Sequence, residues 1–219
     1  MKAIEHIHER YIHTRRIRVL SETLIPWIQP NACVLDVGCG DGLLSQRIAL
    51  ARSDLTLEGT DVLIRNKTHI PVKPFDGWKL PYSDNQFDIV MFVDVLHHTN
   101  DPMALLFEAA RVASVCVLIK DHLLEGFLAG PTLSFMDWIG NAHHQVALPH
   151  NYWPLKKWEE AFTAANLKVN QWTQKIPLYP MWAGWLFGRS LHFAARLEKG
   201  KLLEMKELNH GGTLPLVTA

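Results

Sequence analysis

The 219-residue sequence predicts an α/β fold in which a mostly parallel sheet is covered by helices on both faces. Three observations support this prediction. Short apolar runs alternate with segments of helical spacing, most of these runs lack polar alternation, and the first ends in a glycine-rich turn followed by a helix. Strands that are apolar throughout are typical of parallel sheets buried on both faces. The length suits one such domain.

The first two thirds of the chain alternate helix and strand in a regular order. Apolar residues recur at helical spacing over residues 3–28, which predicts an N-terminal helix. Further helices are predicted over 44–51 and from Pro102, with Asp101 as the N-cap of the latter. The predicted strands are the apolar runs 33–37, 55–60, 70–72, 89–93 and 115–119.

The C-terminal third has a different pattern. A helix is predicted from Pro154 and a strand over 167–176. In residues 191–197 apolar side chains alternate with positions such as His192, which predicts a half-exposed strand. No clear helix separates the last two strands, so we expect them to pair antiparallel.

The predicted elements divide the chain into three parts. Residues 1–30 form a helical lead-in or lid, residues 31–198 the main domain, and residues 199–219 a flexible tail. Within the main domain, 123–153 and 177–190 are long connections that are candidates for insertions on the substrate side. Their aromatic side chains suit either an apolar substrate pocket or a small core or dimer contact. They are Phe135, Trp138, Tyr152, Tyr179, Trp182, Trp185 and Phe187, and the apolar Met136 lies among them.

Composition excludes several classes of protein. Lys plus Arg and Asp plus Glu both total 22, so the chain lacks the positive charge of a general nucleic-acid binder. Three cysteines without paired spacing argue against a disulfide framework or a zinc site. No signal peptide or spanning segment is recognisable, so we expect a soluble cytoplasmic protein. The neutral, aromatic-rich C-terminal third favours a small-molecule substrate over a nucleic acid. Four arginines near the start form either a local basic patch or, as we expect, only a solvated helix face: Arg10, Arg15, Arg16 and Arg18.

The most informative segment is the turn that follows the first predicted strand. Residues 34–42 read Val-Leu-Asp-Val-Gly-Cys-Gly-Asp-Gly and lead directly into a helix. Glycines allow a tight turn and a close approach of a ligand, and the helix start presents free N–H groups. Because ordinary tight turns share this pattern, the glycines alone leave a nucleotide-type ligand and a structural role equally open.

Carboxylates at three positions narrow the choice of ligand. Asp61 lies about 20 residues after the glycines, where a carboxylate in a Rossmann-like unit accepts hydrogen bonds from ribose hydroxyls. Asp36 would repel a pyrophosphate and favour an ammonium or sulfonium group, unless it only caps the N–H groups of the turn. Asp76 could reach an adenine amino group or simply form a turn with Gly77.

Together these motifs resemble the class I S-adenosylmethionine-dependent methyltransferases, particularly the broad group that includes the ubiquinone and menaquinone methylases. The resemblance covers about residues 33–120, and includes the glycine turn and the runs 59–61, 80–88, 94–98 and 108–112. It implies a Rossmann-like, doubly wound, seven-stranded sheet with an antiparallel last strand. It also implies S-adenosylmethionine as the cofactor. Ala-Ser-Val replaces the family's usual glycine pair before the fifth strand, away from the expected site.

The resemblance also assigns the contacts of the cofactor. The glycines of the turn would face the methionine part, Asp61 the ribose and Val62 the adenine. Val93 and Asp94 would border the methionine end. The complete expected set is Asp36, Gly38, Cys39, Gly40, Asp41, Asp61, Val62, Asp76, Gly77, Val93 and Asp94.

Candidate catalytic groups follow the fourth and fifth strands, at the sheet edge where open α/β folds bind ligands. His97 or His98 is the leading candidate for a general base, and Asp121-His122 is the second. Alternatively, these histidines only hydrogen-bond their loop, since many methyl transfers need no base. No metal site is predicted from the histidines of the next connection, His143, His144 and His150.

Two other classes of protein share these features. A non-catalytic module that binds the cofactor and serves in protein interactions would have the same turn and carboxylates. An NAD-dependent oxidoreductase is disfavoured by Asp36 and by the Gly-x-Gly-x-Gly spacing. The neutral, aromatic-rich C-terminal third favours a small or partly apolar acceptor. The sequence does not identify that acceptor or the oligomeric state.

Overall fold

The computed structural model describes residues 2–141, 151–179 and 190–200. In this part of the chain a seven-stranded sheet carries helices on both faces, which confirms the predicted fold class. The strands are β1 (Cys33–Val37), β2 (Thr56–Asp61), β3 (Val72–Pro74), β4 (Phe87–Val93), β5 (Ala113–His122), β6 (Leu167–Thr173) and β7 (His192–Lys199). The α-helices are α1 (Lys2–Leu24), α2 (Leu43–Ala51), α3 (Pro102–Val112), α4 (Ala129–Asn141) and α5 (Leu155–Ala164).

The strand order is β3-β2-β1-β4-β5-β7-β6. The first five strands of this order run parallel, whereas β7 pairs antiparallel with both β5 and β6. Parallel pairing places the carboxyl ends of β1, β2, β4 and β5 at one edge of the sheet. That edge therefore collects the residues that follow these strands, as expected for a ligand site in an open α/β sheet.

Local sequence signals set the ends of several elements. Asp101 accepts a hydrogen bond from the backbone N–H of Ala104 (3.0 Å), and Pro102 occupies the first turn of α3, as predicted. Short 3₁₀ helices follow α1 and β4, at Ile25–Trp27 and Leu96–His98. The connection 62–71 between β2 and β3 contains no helix.

Two apolar layers enclose the sheet. One contains Leu106 of α3 and Trp158 of α5, and the other contains Leu20 of α1 and Ile48 of α2. These side chains are almost fully removed from water, and each such burial stabilises the fold by roughly 1.5–3 kcal/mol. Packing of these layers fixes the position of α1 relative to the sheet edge. Both α1 and this edge contribute residues to the candidate functional site.

Some sequence predictions about exposure and boundaries are wrong. The half-exposed strand predicted over 191–197 is buried at His192 and Ala194, because β7 lies between β5 and β6. The exposed positions fall instead on β6, which forms the sheet edge. β5 continues to His122, beyond the predicted 115–119, and its buried polar residues have partners in other segments: Lys120 pairs with Asp94, and Asp121 pairs with His97.

The solvated face predicted for the N-terminal arginines is correct for Arg18 and wrong for two others. Arg18 is exposed and pairs with Glu22 one turn later. Arg15 donates to the carbonyl oxygens of Pro177 and Tyr179, and Arg16 pairs with Asp94. The side chain of Arg10 lies outside the described part.

Other sequence predictions also concern residues outside the described ranges. They are His143, His144, His150, the side chain of Trp138, Trp182, Trp185, Phe187 and most of the predicted tail. Among the described residues, no helix combines the length and the apolar character needed to span a bilayer.

Candidate functional site

A cavity of about 540 Å³ opens at the carboxyl edge of the sheet beside the glycine turn. Residues of α1, the loop after β2 and the end of β4 complete its wall. Seven of the residues expected to bind the cofactor line it: Asp36, Gly38, Cys39, Gly40, Asp41, Val93 and Asp94. Sequence reasoning did not predict the lining residues His13, Arg16, Arg65 and Lys67. The other four expected residues, Asp61, Val62, Asp76 and Gly77, are not among its lining residues.

The turn requires glycine at two positions, Gly38 and Gly40, for different structural reasons. Gly38 and Gly40 adopt φ angles of 70° and 61°, in the left-handed region that favours glycine. A Cβ on Gly38 would lie 2.6 Å from Cγ2 of Val95, so the side chain of Val95 fills that space. A Cβ on Gly40 would meet no atom within 4 Å. Gly40 therefore leaves room for a ligand in the cavity.

Asp61 joins the glycine turn to the loop after β2. Its Oδ2 accepts from the N–H of Gly40 (2.8 Å), and its Oδ1 accepts from the N–H of Leu63 (2.9 Å). Each carboxylate oxygen can accept a second hydrogen bond. The predicted contact with ribose hydroxyls is compatible with this arrangement and stays a prediction.

Asp36 is buried beneath the turn and does not cap it. Its Oδ2 accepts a hydrogen bond of 2.6 Å from the hydroxyl of Ser45 on α2. Burial raises the pKa of Asp36 to about 7, and the charge of Asp61 acts in the same direction. A cationic ligand in the cavity would therefore favour the ionised form.

This pKa predicts how binding of a cationic ligand depends on pH. S-adenosylhomocysteine carries an ammonium group, so its affinity should rise with pH by up to about tenfold per unit below pH 7 and then level off. Calorimetric titration from pH 5.5 to 8.5 measures this dependence. Asp36→Asn should remove most of it, and an equally steep profile in that variant would contradict the assignment.

The same pKa fixes the sign of an effect on stability. The pKa of Asp36 is higher in the folded protein than in the unfolded chain. Its contribution to the free energy of unfolding is therefore greatest at low pH and is lost as pH rises through about 7. Asp36→Asn should therefore gain stability relative to the wild type as pH rises from about 4 to 8. Urea unfolding at both pH values measures this change.

Asp76 and Gly77 form a turn, which is one of the two roles that the sequence suggested for Asp76; the other was a contact with adenine. Asp76 is exposed, and its Oδ1 accepts from the N–H groups of Trp78 and Lys79, both at 2.8 Å. These hydrogen bonds lower the pKa of Asp76, and the bond from Lys79 has the largest effect. Val62 lies beside Gly77 and is 63% exposed, so both remain accessible. The adenine contact of these residues stays a prediction.

Asp94 is the point at which three elements meet. It follows β4 with a φ of 57°, and its N–H donates to the carbonyl of Lys120 on β5 (2.8 Å). Its carboxylate forms ion pairs with the guanidinium of Arg16 on α1 and the ammonium of Lys120. Burial opposes ionisation, but Arg16 and Lys120 hold the pKa of Asp94 well below its usual range. Asp94 therefore presents a permanent negative charge at the cavity wall.

Three of the four predicted catalytic residues meet next to this carboxylate. Nδ1 of His97 lies 2.5 Å from Oδ1 of Asp121, and Nδ1 of His122 lies 3.3 Å from that same His97 nitrogen. Asp121 also accepts from the backbone N–H groups of Leu96 (3.1 Å) and His122 (2.7 Å). Burial opposes ionisation of Asp121, but the neighbouring His97 and the hydrogen bonds with the side chains of His122 and His97 lower its pKa.

The histidine group is close to the cavity and is covered by the chain. Nδ1 of His122 lies 3.8 Å from Oδ1 of Asp94, which lines the cavity. The ring of Tyr152 stacks over that of His97 at 5.7 Å. The ring of His98, the fourth candidate, is half-buried and lies 3.9 Å from that of His97. Part of the long connection 123–153 therefore reaches the candidate catalytic residues.

His97, Asp121 and His122 also have the donor atoms of a metal site. Their ligand atoms lie within 4.8 Å of one another. However, the cations Arg16 and Lys120 already balance the carboxylates of this region, and a divalent ion would add buried positive charge without a counter-ion. We therefore interpret the group as a hydrogen-bonded acid–base unit, and the absence of a metal stays a prediction.

Comparison with known proteins agrees with this geometry. A family model described as a methyltransferase domain matches residues 5–171. The chain belongs to the S-adenosylmethionine-dependent methyltransferases. The cofactor of the family fits the cavity, where the carboxylates of Asp36 and Asp94 suit its cationic groups and Gly40 leaves room for it. This membership favours the methyltransferase interpretation over the NAD-dependent alternative.

Curated relatives match part of the chain. A mitochondrial ubiquinone biosynthesis O-methyltransferase of Candida albicans is 35% identical over 117 residues, or 47% of this chain and 36% of that protein. An uncharacterized methyltransferase of Schizosaccharomyces pombe is 28% identical over 110 residues, or 42% of this chain and 40% of that protein. The matched part thus spans well under half the length of these relatives.

Solved structures show the same fold at low identity. An S-adenosylmethionine-dependent methyltransferase from Aquifex aeolicus superposes with a TM-score of 0.56 at 15% identity, covering 81% of this chain and 88% of that chain. The 4+2 cyclase SpnF superposes with a TM-score of 0.61 at 16% identity, covering 83% and 80%. Since one neighbour is named a cyclase, the fold alone does not define the reaction.

Proposed function

We propose that the chain transfers a methyl group from S-adenosylmethionine to a hydroxyl group of a small, partly apolar acceptor. The observation that carries this proposal is the buried His97–Asp121 pair, whose neighbour His122 lies 3.8 Å from the carboxylate of Asp94 at the cavity wall. The Candida albicans relative is named an O-methyltransferase, which supports oxygen as the acceptor atom.

The cavity would hold the cofactor by matching charges. When bound, S-adenosylmethionine supplies an activated methyl group on a sulfonium. The carboxylates of Asp36 and Asp94 suit the ammonium and the sulfonium, whereas the guanidinium of Arg16 suits the methionine carboxylate. Asp61 already holds the turn in place and has acceptor capacity left for ribose hydroxyls.

His97 is the residue we assign as general base. Since Asp121 is an acceptor, Nδ1 of His97 carries the hydrogen in their contact, and Nε2 is the nitrogen with a lone pair. In this state the ring can take a proton from an acceptor hydroxyl, and the carboxylate of Asp121 stabilises the resulting imidazolium. Burial of both groups keeps water away from this exchange.

The acceptor would bind between the histidine group and the aromatic connections. Tyr152 covers His97, and Tyr179 lies 5.8 Å from the ring of His192 on β7. Aromatic rings with polar tips suit an acceptor that is partly apolar. A cytoplasmic location and the division of the chain into lid, main domain and tail stay predictions.

Calorimetric titration with S-adenosylhomocysteine tests the cofactor site, and transfer of a labelled methyl group to a panel of phenols and alcohols tests the activity. We expect micromolar binding in the wild type and loss of at least about tenfold in affinity in Asp61→Ala. A folded wild type that fails to bind contradicts the proposal. Binding without transfer to any acceptor would instead favour a non-catalytic, cofactor-binding module.

A further inference from the structure

Lys120 is a buried charge that the proposed chemistry leaves unexplained. It lies on β5 with an exposed fraction of 0% and does not line the cavity. Burying an ammonium group is unfavourable unless it is paired, and an apolar side chain at this position would avoid the cost. A buried lysine next to a candidate active site therefore suggests a specific role.

Lys120 holds Asp94 at two points. Its carbonyl accepts from the backbone N–H of Asp94 (2.8 Å), and its ammonium pairs with the carboxylate of the same residue. Nδ1 of His192 lies 3.3 Å from the ammonium nitrogen and accepts from it. Asp94 has a left-handed φ of 57°, which is unfavourable for a residue other than glycine unless its surroundings fix it.

Arg16 and Lys120, the two cationic side chains that pair with Asp94, differ in how far they are exposed to solvent. The side chain of Arg16 is 32% exposed, belongs to α1 and lines the cavity. That of Lys120 is fully buried between β4 and β7. A zwitterionic methionine group entering the cavity brings an ammonium for Asp94 and a carboxylate for Arg16. Arg16 is thus the exchangeable partner, and Lys120 is the permanent one.

We propose that Lys120 is a positioning residue that keeps Asp94 ionised and directed at the cofactor's ammonium while Arg16 binds the cofactor's carboxylate. This inference rests on the proposed function. Lys120 acts through Asp94 and has no contact with the cofactor. Burial lowers the pKa of Lys120, while the carboxylate of Asp94 opposes that shift, so each group depends on the other for its charge.

Two ligands that differ only in the amino-acid part test the proposal. S-adenosylhomocysteine contains the ammonium and carboxylate, whereas 5′-methylthioadenosine lacks both. Lys120→Met should weaken S-adenosylhomocysteine by about tenfold or more and leave 5′-methylthioadenosine within about twofold of the wild type. Arg18→Gln, which alters an exposed arginine of α1 two residues from Arg16, should leave both affinities unchanged.

A purely structural lysine would behave differently. In that case Lys120→Met would lower the melting temperature and weaken both ligands equally, or neither, and the proposal would be wrong. If Lys120→Met does not fold, Asp94→Asn/Lys120→Met removes both charges. Recovery of folding with the same loss of S-adenosylhomocysteine affinity as in Asp94→Asn alone supports the proposal, because Lys120 acts only through Asp94. Recovery with full S-adenosylhomocysteine affinity overturns it.

The two proposals fail in different ways. A wild type that binds neither ligand contradicts the proposed function, and the role of Lys120 falls with it. A wild type that binds cofactor and transfers methyl groups, together with an unaltered Lys120→Met protein, contradicts the role of Lys120 alone.

Discussion

His97→Gln should reduce kcat for methyl transfer by at least about a hundredfold, with little change in the affinity for S-adenosylhomocysteine. The imidazole of His97 is the base in the proposed reaction, and glutamine has no nitrogen that takes a proton at neutral pH. His97 contacts Asp121 and His122 rather than the cavity wall, so the cofactor contacts should survive. Steady-state kinetics together with calorimetry measure the two quantities separately.

The acidity of the acceptor provides a control for this assignment. An acceptor whose hydroxyl is already ionised near neutral pH needs no base, so His97→Gln should lose much less activity on an acidic phenol than on an aliphatic alcohol. Asp121→Asn should resemble His97→Gln, because an amide in place of the carboxylate cannot stabilise the imidazolium. Equal losses on acidic and weakly acidic acceptors, or no loss at all, would show that His97 is not the base.

The sequence predicted where the glycine turn, Asp36 and Asp61 lie in the fold because its signals are local, whereas their contacts with the cofactor stay predictions. The glycine turn, Asp36 and Asp61 are fixed by a strand, a turn and the next strand, and each appears at the predicted place. Three of the histidine and aspartate candidates also come together, since parallel strands bring residues after β4 and β5 to one edge. Neighbouring strand ends are therefore readable from sequence order.

The residues that sequence reasoning missed depend on contacts between distant segments. Arg16 reaches Asp94, 78 positions later, and Lys120 approaches His192, 72 positions later. A run of arginines on a helix is usually a solvated face, so Arg16 gave no signal of its own. Lys120 did carry a weak signal, because a lysine directly after the apolar run 115–119 and before Asp121-His122 is unusual in a buried strand.

The misassigned exposure of β7 has a similar cause. The alternation along residues 191–197 is typical of a strand with one solvent-exposed face, but it does not reveal the position of the strand in the sheet. The antiparallel return of β7 beside β5 places it inside the sheet, and β6 takes the exposed edge. Burial of His192 follows from this topology, and Nδ1 of its imidazole accepts a hydrogen bond from the ammonium of Lys120.

Two alanine variants of the glycine turn should have different effects. Gly40→Ala should mainly weaken ligand binding, whereas Gly38→Ala should mainly reduce stability. Both residues have positive φ angles, so each alanine costs roughly 1 kcal/mol in backbone strain. At Gly38 the new Cβ would also lie 2.6 Å from the side chain of Val95, and such overpacking costs roughly 1–3 kcal/mol more. At Gly40 the new Cβ would meet no protein atom and would extend into the cavity.

We therefore expect Gly40→Ala to remain folded and to lose S-adenosylhomocysteine binding by about a hundredfold, and Gly38→Ala to lose much more stability in urea unfolding. Gly38→Ala/Val95→Ala removes the steric conflict and should recover part of the lost stability relative to Val95→Ala. If Gly40→Ala binds as tightly as the wild type, the ligand does not approach the backbone of this turn. The charges of the acidic residues that line the cavity, Asp36, Asp41 and Asp94, would then be the main determinants of where the cofactor lies, because attraction between charges does not require close contact with the backbone.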